Sequence, residues 1–207
     1  MPLPPSKLEL QREQRKIETR ARILAASDTL FTTRGYEHTS VDDIAEAAGI
    51  AKRTVYLHFA SKAAILLAYF DDWLDAFTDL FLLRPVDEPV LESTRVTTLS
   101  MAQNGWIDAA ESQGEVNPFV EHLVAGSPEI AGHVFQSWIR AQGRIAEDYA
   151  RRIAVPVNSP LPAARALSVF LVWHSSVLAA RDPALTEHAR SGAFGMDVFA
   201  VIARGEI

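Results

Sequence analysis

Apolar residues recur along this chain at three- and four-residue spacing, the period of a helix buried on one side, and no segment alternates cleanly like a strand between hairpin turns. Pro2, Pro4 and Pro5 discourage helix at the start, so residues 1–17 are expected to be a flexible tail. From about Thr19, Ile23, Leu24, Ser27, Leu30 and Phe31 make one narrow apolar face, and Gly35 ends that helix. A second, short helix starts near Ser40. Ser40 and Asp43 have capping-box spacing, with Thr39 as the rival cap, and Ile44, Ala45 and Ala48 supply the buried side. Gly49 closes it, and Ile50 is placed to plug the crossing between two helices. The third helix, Lys52 to Phe59, turns Val55 and Phe59 inward. Helices of two turns are marginal alone, so these three imply a compact trihelical unit held by packing.

Ser61 is expected to cap a fourth helix reaching about Phe81, roughly 30 Å long and so able to bridge into a second domain. Further helices are expected over about 88–110, 119–124, 127–153, 160–180 and 194–203. They are separated by Gly114-to-Pro118, Pro156-to-Pro160 and Pro183. The chain therefore reads as all-α with about nine helices: a tail (1–17), a three-helix head (18–62, motif about 40–59), a connecting helix (63–82) and a larger helical body (83–207).

Composition narrows the function. Of the 207 residues 48% are hydrophobic and 22% charged, enough apolar surface for a folded core. The absence of cysteine excludes disulfide scaffolds, thiol catalysis and cysteine metal sites. The most apolar stretch, Ala163 to Ala180, is interrupted by Arg165 and His174, and the polar N-terminus has no secretory apolar segment. A cytoplasmic protein with no membrane partner is expected. The net charge of −6 is unevenly placed: residues 1–62 hold ten Lys/Arg against eight Asp/Glu, and the remainder ten against eighteen. A mildly basic head on an acidic body suits a protein whose head alone meets a polyanion. The basic stretch Arg12 to Arg22 serves either plain solubility or phosphate and minor-groove binding.

The chemistry concentrates in the head. Two short helices crossing through a tight turn, the second with a polar outer face, form a helix-turn-helix. Arg53, near the start of the second, can reach guanine O6 and N7 with two donors; Lys52 can do the same or pair with phosphate. Thr54 offers a hydroxyl to phosphate or base and a methyl to thymine. Tyr56 and His58 fit phosphate or sugar, which set register without reading sequence, though Tyr56 also suits packing. Lys62 adds a cation, and Ser40 and Thr39 are placed to set the first helix of the pair against the opposite backbone.

Residues 21–65 resemble the DNA-binding domain of the TetR family of transcriptional regulators. The matching features are Phe31 to Gly35-Tyr36, Thr39-Ser40-Val41, Asp43-Ile44-Ala45, Ala48-Gly49-Ile50, Thr54-Val55-Tyr56, His58-Phe59 and Ser61-Lys62, in order and in register. The resemblance implies DNA contact at Lys52, Arg53, Thr54, Tyr56, His58 and Lys62, with Ser40 and Val41 at the edge of that surface. Two departures stand out: Ala51 replaces the usual serine cap of the recognition helix, and Ala64 replaces an acid in the capping box after Ser61.

The resemblance also implies a regulatory body that holds a small-molecule effector and a homodimer formed through the two C-terminal helices, about 160–180 and 186–204. The apolar run Leu167 to Trp173 needs burial on more than one side, which a second copy supplies. Trp73, Trp106, Trp138 and Trp173 on separate helices are candidates to line an apolar or aromatic effector site, with Asn104, His133, Gln136, Gln142 and His174 as polar contacts. The alternative for the tryptophans is a plain core role, and for the histidines a satisfied place at the core edge. No cofactor or metal is expected. The reading is a ligand-responsive repressor of a palindromic double-stranded DNA operator. Its rivals are a ligand-binding or protein-interaction dimer without DNA binding and, behind it, an enzyme, for which no nucleophile, phosphate-loop or H-E-x-x-H motif is present.

Overall fold

The structure, a computed structural model, describes residues 6–106, 127–180 and 192–204. It is all-α. The described helices are α1 (Lys7–Arg34), α2 (Val41–Ala47), α3 (Lys52–His58), α4 (Lys62–Leu66), α5 (Ala68–Leu82), α6 (Val90–Gln103), α7 (Pro128–Arg152), α8 (Pro160–Ala180) and α9 (Gly192–Ala203). They fall into two compact units, Met1–Ala68 and Tyr69–Ile207. The short helix expected over 119–124 lies outside the described residues.

In the first unit, α1 packs on α2 and α4, and α2 on α3. Ile23, Leu30, Ile44, Ala45, Val55, Phe59, Ala64, Ile65 and Ala68 form its core, with Leu24, Phe31, Val41 and Ile50 packed at its margin. Helix begins earlier here than the prolines imply. Ser6 caps α1 in a full capping box: its hydroxyl accepts from the Glu9 amide at 3.2 Å, and the Glu9 carboxylate accepts from the Ser6 amide at 2.7 Å. The tail expected over 1–17 is therefore helical from Lys7 onward, because the prolines precede the cap and cannot break the turns beyond it.

The expected single helix from Ser61 to Phe81 is two helices, interrupted at Leu67, where ψ is 13°. Ala63, Ala64, Ile65, Leu67 and Ala68 are all buried, a wider arc than the stripe of one straight surface helix. The break falls where that arc narrows to Phe70, Leu74, Phe77 and Phe81.

In the second unit, α8 packs against α6, α7 and α9. Val134, Ala141 and Ile145 of α7 and Ala166, Val169 and Phe170 of α8 are buried. The rings of Phe70, Trp73, Phe77 and Phe81 stack in succession along α5, with centroids 6.4, 5.8 and 6.1 Å apart. The helix expected over about 88–110 ends at Gln103. The Trp106 amide donates to the Met101 carbonyl and the Gly105 amide to that of Ala102, a Schellman stop with Gly105 at φ 75°. No helix among the described residues is long and apolar enough to cross a membrane.

Candidate nucleic-acid interface

The α2–α3 turn is built by local chemistry. Ser40 opens α2: its hydroxyl accepts from the Asp43 amide at 3.1 Å, while the Asp43 carboxylate accepts from the Ser40 amide at 2.8 Å and the Ser40 hydroxyl at 2.5 Å. Those hydrogen bonds, with Arg34 nearby, hold the Asp43 carboxyl below its ordinary value. Thr39 is not the cap. It is buried, and its hydroxyl donates to the Gly35 carbonyl at 2.9 Å, tying the end of α1 to the start of α2. A second Schellman stop ends α2: the Gly49 amide donates to Glu46, and the Ile50 amide to Ala45, with Gly49 at φ 65°. Ile50 thereby turns inward onto the core.

α3 is anchored from below and open above. Val55 is fully buried and Phe59 nearly so. Lys52, Arg53, Tyr56 and Leu57 are exposed, while Thr54 and His58 are half-buried. Ala51 stands at the N-cap and makes no side-chain capping bond, as its lack of a hydroxyl dictates. Among the described residues none pairs with Arg53, so its fork of donors is available. Lys52 is engaged: its ammonium lies 2.8 Å from Asp42, and that hydrogen bond raises its pKa. Ser40 is exposed, and Val41 is half-buried against the core.

Lys62 occupies a place the sequence did not disclose. Its ammonium donates to the Tyr36 carbonyl at 2.8 Å and sits 3.9 Å from the Tyr36 ring centre, and that ring packs on Phe31 at 5.5 Å. Lys62 thus clasps the α1–α2 corner. An ammonium carries three donors, so two remain for an outside acceptor.

The family model for bacterial regulatory proteins of the tetR family matches residues 23–69, the segment that builds this turn and its core. Residues 23–69 are thus a TetR-family helix-turn-helix segment. Over 149 residues the chain is 29% identical to the HTH-type transcriptional regulator TcmR of Streptomyces glaucescens, a match covering 70% of this chain and just under two thirds, 65%, of TcmR. A TetR-family regulator from Syntrophomonas wolfei shares the fold with a TM-score of 0.54 at 22% identity, covering 92% of this chain and 97% of that one. Thermus thermophilus FadR, a TetR-family repressor solved in complex with lauroyl-CoA, does so with a TM-score of 0.50 at 21% identity, covering 91% and 95%.

The residues expected to contact an effector are spread over the second unit. Trp73 is half-buried within the aromatic row of α5. Trp106 lies past the end of α6, not within a helix. Its carbonyl accepts from the Tyr69 hydroxyl at 2.9 Å, and its ring tilts against that of Tyr69. Asn104 is exposed at the α6 C-cap. Trp138 and Gln142 are half-buried on α7, and Gln136 is exposed there. The side chains of Trp173 and His174 lie outside the described residues. His133 is satisfied internally, its Nε2 lying 2.7 Å from Asp71, which also accepts from the Ser137 hydroxyl at 2.6 Å. A small cleft on the same unit is lined by Phe81, Ile145, Tyr149, Arg152 and Arg165 and includes none of these candidates. Among the described residues no three His, Asp or Glu side chains are grouped to hold a metal ion.

Proposed function

We propose that this TetR-family chain is a ligand-responsive transcriptional regulator, a repressor that binds a palindromic operator as a homodimer and leaves it when a small apolar or aromatic effector binds the body. The observation that carries this reading is Arg53: exposed, without an internal partner among the described residues, on a two-turn helix whose Val55 and Phe59 are buried beneath it. Arg53 reads a guanine edge. Lys52 exchanges Asp42 for phosphate or base, and Thr54, Tyr56, His58, Ser40 and Lys62 fix register on the backbone.

One recognition helix of two turns reads too few base pairs to define a site, so two heads are required, related by a twofold axis that the operator palindrome mirrors. α8 and α9 supply the dimer contact. Leu161 and Leu167 are 55% and 58% exposed on a helix whose Val169 and Phe170 are buried, as a helix apolar on two sides requires. The aromatic row of α5 suits an apolar effector, and the lauroyl chain in the FadR complex is of that chemistry. The break at Leu67 is the joint through which effector binding alters the spacing of the two heads.

The test is protection of a palindromic segment near the protein's own gene, followed by Arg53→Ala in a salt-controlled titration. A loss of about 1–3 kcal/mol on the protected sequence, with weak random-sequence binding retained, is expected. Unchanged affinity for the palindrome overturns the assignment.

A further inference from the structure

α1 outruns the core it serves. Its first buried residue is Ile23, so Lys7 to Arg22 extend about 24 Å of helix with no buried side chain. Arg12, Arg15 and Arg22 fall at i, i+3 and i+10, with Thr19 at i+7 completing one helical stripe and Lys16 beside it. The acids of the same segment are already engaged. Glu9 closes the capping box, Glu13 lies 3.8 Å from Lys16, and Glu18 accepts from the Gln14 amide at 3.0 Å. Among the described residues none pairs with Arg12, Arg15 or Arg22, and all three are exposed. Like charges one turn apart repel, so such a stripe weakens an otherwise unsupported helix unless an anion faces it.

Arg20 ties this stretch to the head. Its guanidinium lies 5.4 Å from the centre of the Phe59 ring, the residue that caps α3. The extension therefore leaves the head beside the end of the helix that carries Arg53.

We infer that the Arg12–Arg15–Arg22 stripe of α1 is a second DNA-binding surface, which grips the sugar–phosphate backbone while α3 reads the groove. This rests on the reading of the head as a DNA-binding unit. Guanidinium groups suit phosphate oxygens through paired N–H donors. A duplex is the occupant because the stripe shares a unit with α3. The exposed large apolar side chains of the segment are Leu8, Leu10 and Ile17, and Leu8 falls on the arginine side, so no continuous apolar face is left to insert into lipid.

The full-length protein with Arg12→Gln, Arg15→Gln and Arg22→Gln together tests it, since glutamine keeps the helix and removes the charge. Affinity is measured over a range of salt on the protected palindrome and on a random duplex, with circular dichroism to check that helix content is unchanged. The substitutions are expected to lower affinity for both duplexes by the same factor. They should also flatten the slope of log K against log salt by about 0.9 for each phosphate no longer neutralised. An unchanged slope overturns the inference, as does a loss confined to the palindrome, which would mean base reading. Binding to phosphatidylserine vesicles that the substitutions abolish, with the DNA slope intact, overturns it too. If Arg53→Ala removes sequence preference while the triple variant matches wild type, this inference alone fails. If wild type prefers no duplex, the reading of the head fails with it.

Discussion

Ala154 sits at φ 57° just past the end of α7, where the Val155 amide donates to the Ala150 carbonyl at 3.1 Å. This is the same helix stop that glycine makes after α2 and α6, built on a residue whose Cβ resists the left-handed conformation by roughly 1–2 kcal/mol. Part of that strain is recovered by Ala154→Gly, which is expected to stabilise the protein by about 0.5–1 kcal/mol in urea unfolding, after the extra chain entropy of glycine is deducted. Ala51 is a second place where one atom would help. Its φ of −72° and ψ of 143° already match an N-cap, and only the hydroxyl is missing. Ala51→Ser is expected to add about 0.5–1 kcal/mol to thermal stability, because a hydroxyl there satisfies one free amide of α3. No gain would mean that water already satisfies those amides equally well.

At the scale of elements, α5 and α7 are joined by an ionic ladder. Asp71, Asp75 and Asp79 repeat every turn of α5. Asp71 meets His133 and Ser137, and Arg144 bridges Asp75 at 3.0 Å and Asp79. Burial pushes the Asp71 carboxyl upward, but the hydrogen bonds from His133 and Ser137 and the charges of His133 and Arg140 outweigh it and hold the carboxyl below its ordinary 3.8. A carboxylate so depressed stabilises the fold fully above its unfolded value and loses that contribution as pH falls through its folded one. Asp71→Asn is therefore expected to be less stable than wild type at neutral pH, with the gap closing as pH drops below 3.8 in a series of urea titrations. A gap constant with pH would assign the loss to geometry and not to charge. The ladder escapes sequence reading because its members are more than sixty residues apart, and adjacent acids such as Asp71 and Asp72 look alike until the packing separates them.

For the whole molecule the proposed function turns on the number of heads that meet one duplex. Leu167 is exposed on α8, one turn from buried Phe170. Leu167→Glu puts a charge where the proposed dimer would bury it, at a cost of several kcal/mol. Sedimentation velocity is expected to show a monomer, and specific affinity for the palindrome to fall by orders of magnitude while random-sequence binding persists. A variant that stays dimeric would move the interface elsewhere. Arg53→Ala and Leu167→Glu together separate the two proposed requirements: the first is expected to remove reading, the second the partner head.

Most of the head was determined by the sequence alone, because its signals are short-range. Ser40-x-x-Asp43, Gly49 after Ala48, and Val55 with Phe59 act within a few residues of one another, and spacing is enough to read them. The full reach of α1 and the stop at Asn104-Gly105 were also written locally, in Ser6-x-x-Glu9 and an Asn-Gly pair, but nearby prolines and a continuing apolar pattern spoke against them. The break at Leu67, the clasp of Lys62 on Tyr36, the pairing of Lys52 with Asp42 and the Asp71–His133 contact were decided only by tertiary structure. Each depends on which surfaces meet after the helices pack, and a hydrogen bond between residues ten to sixty-two positions apart leaves no period along the chain.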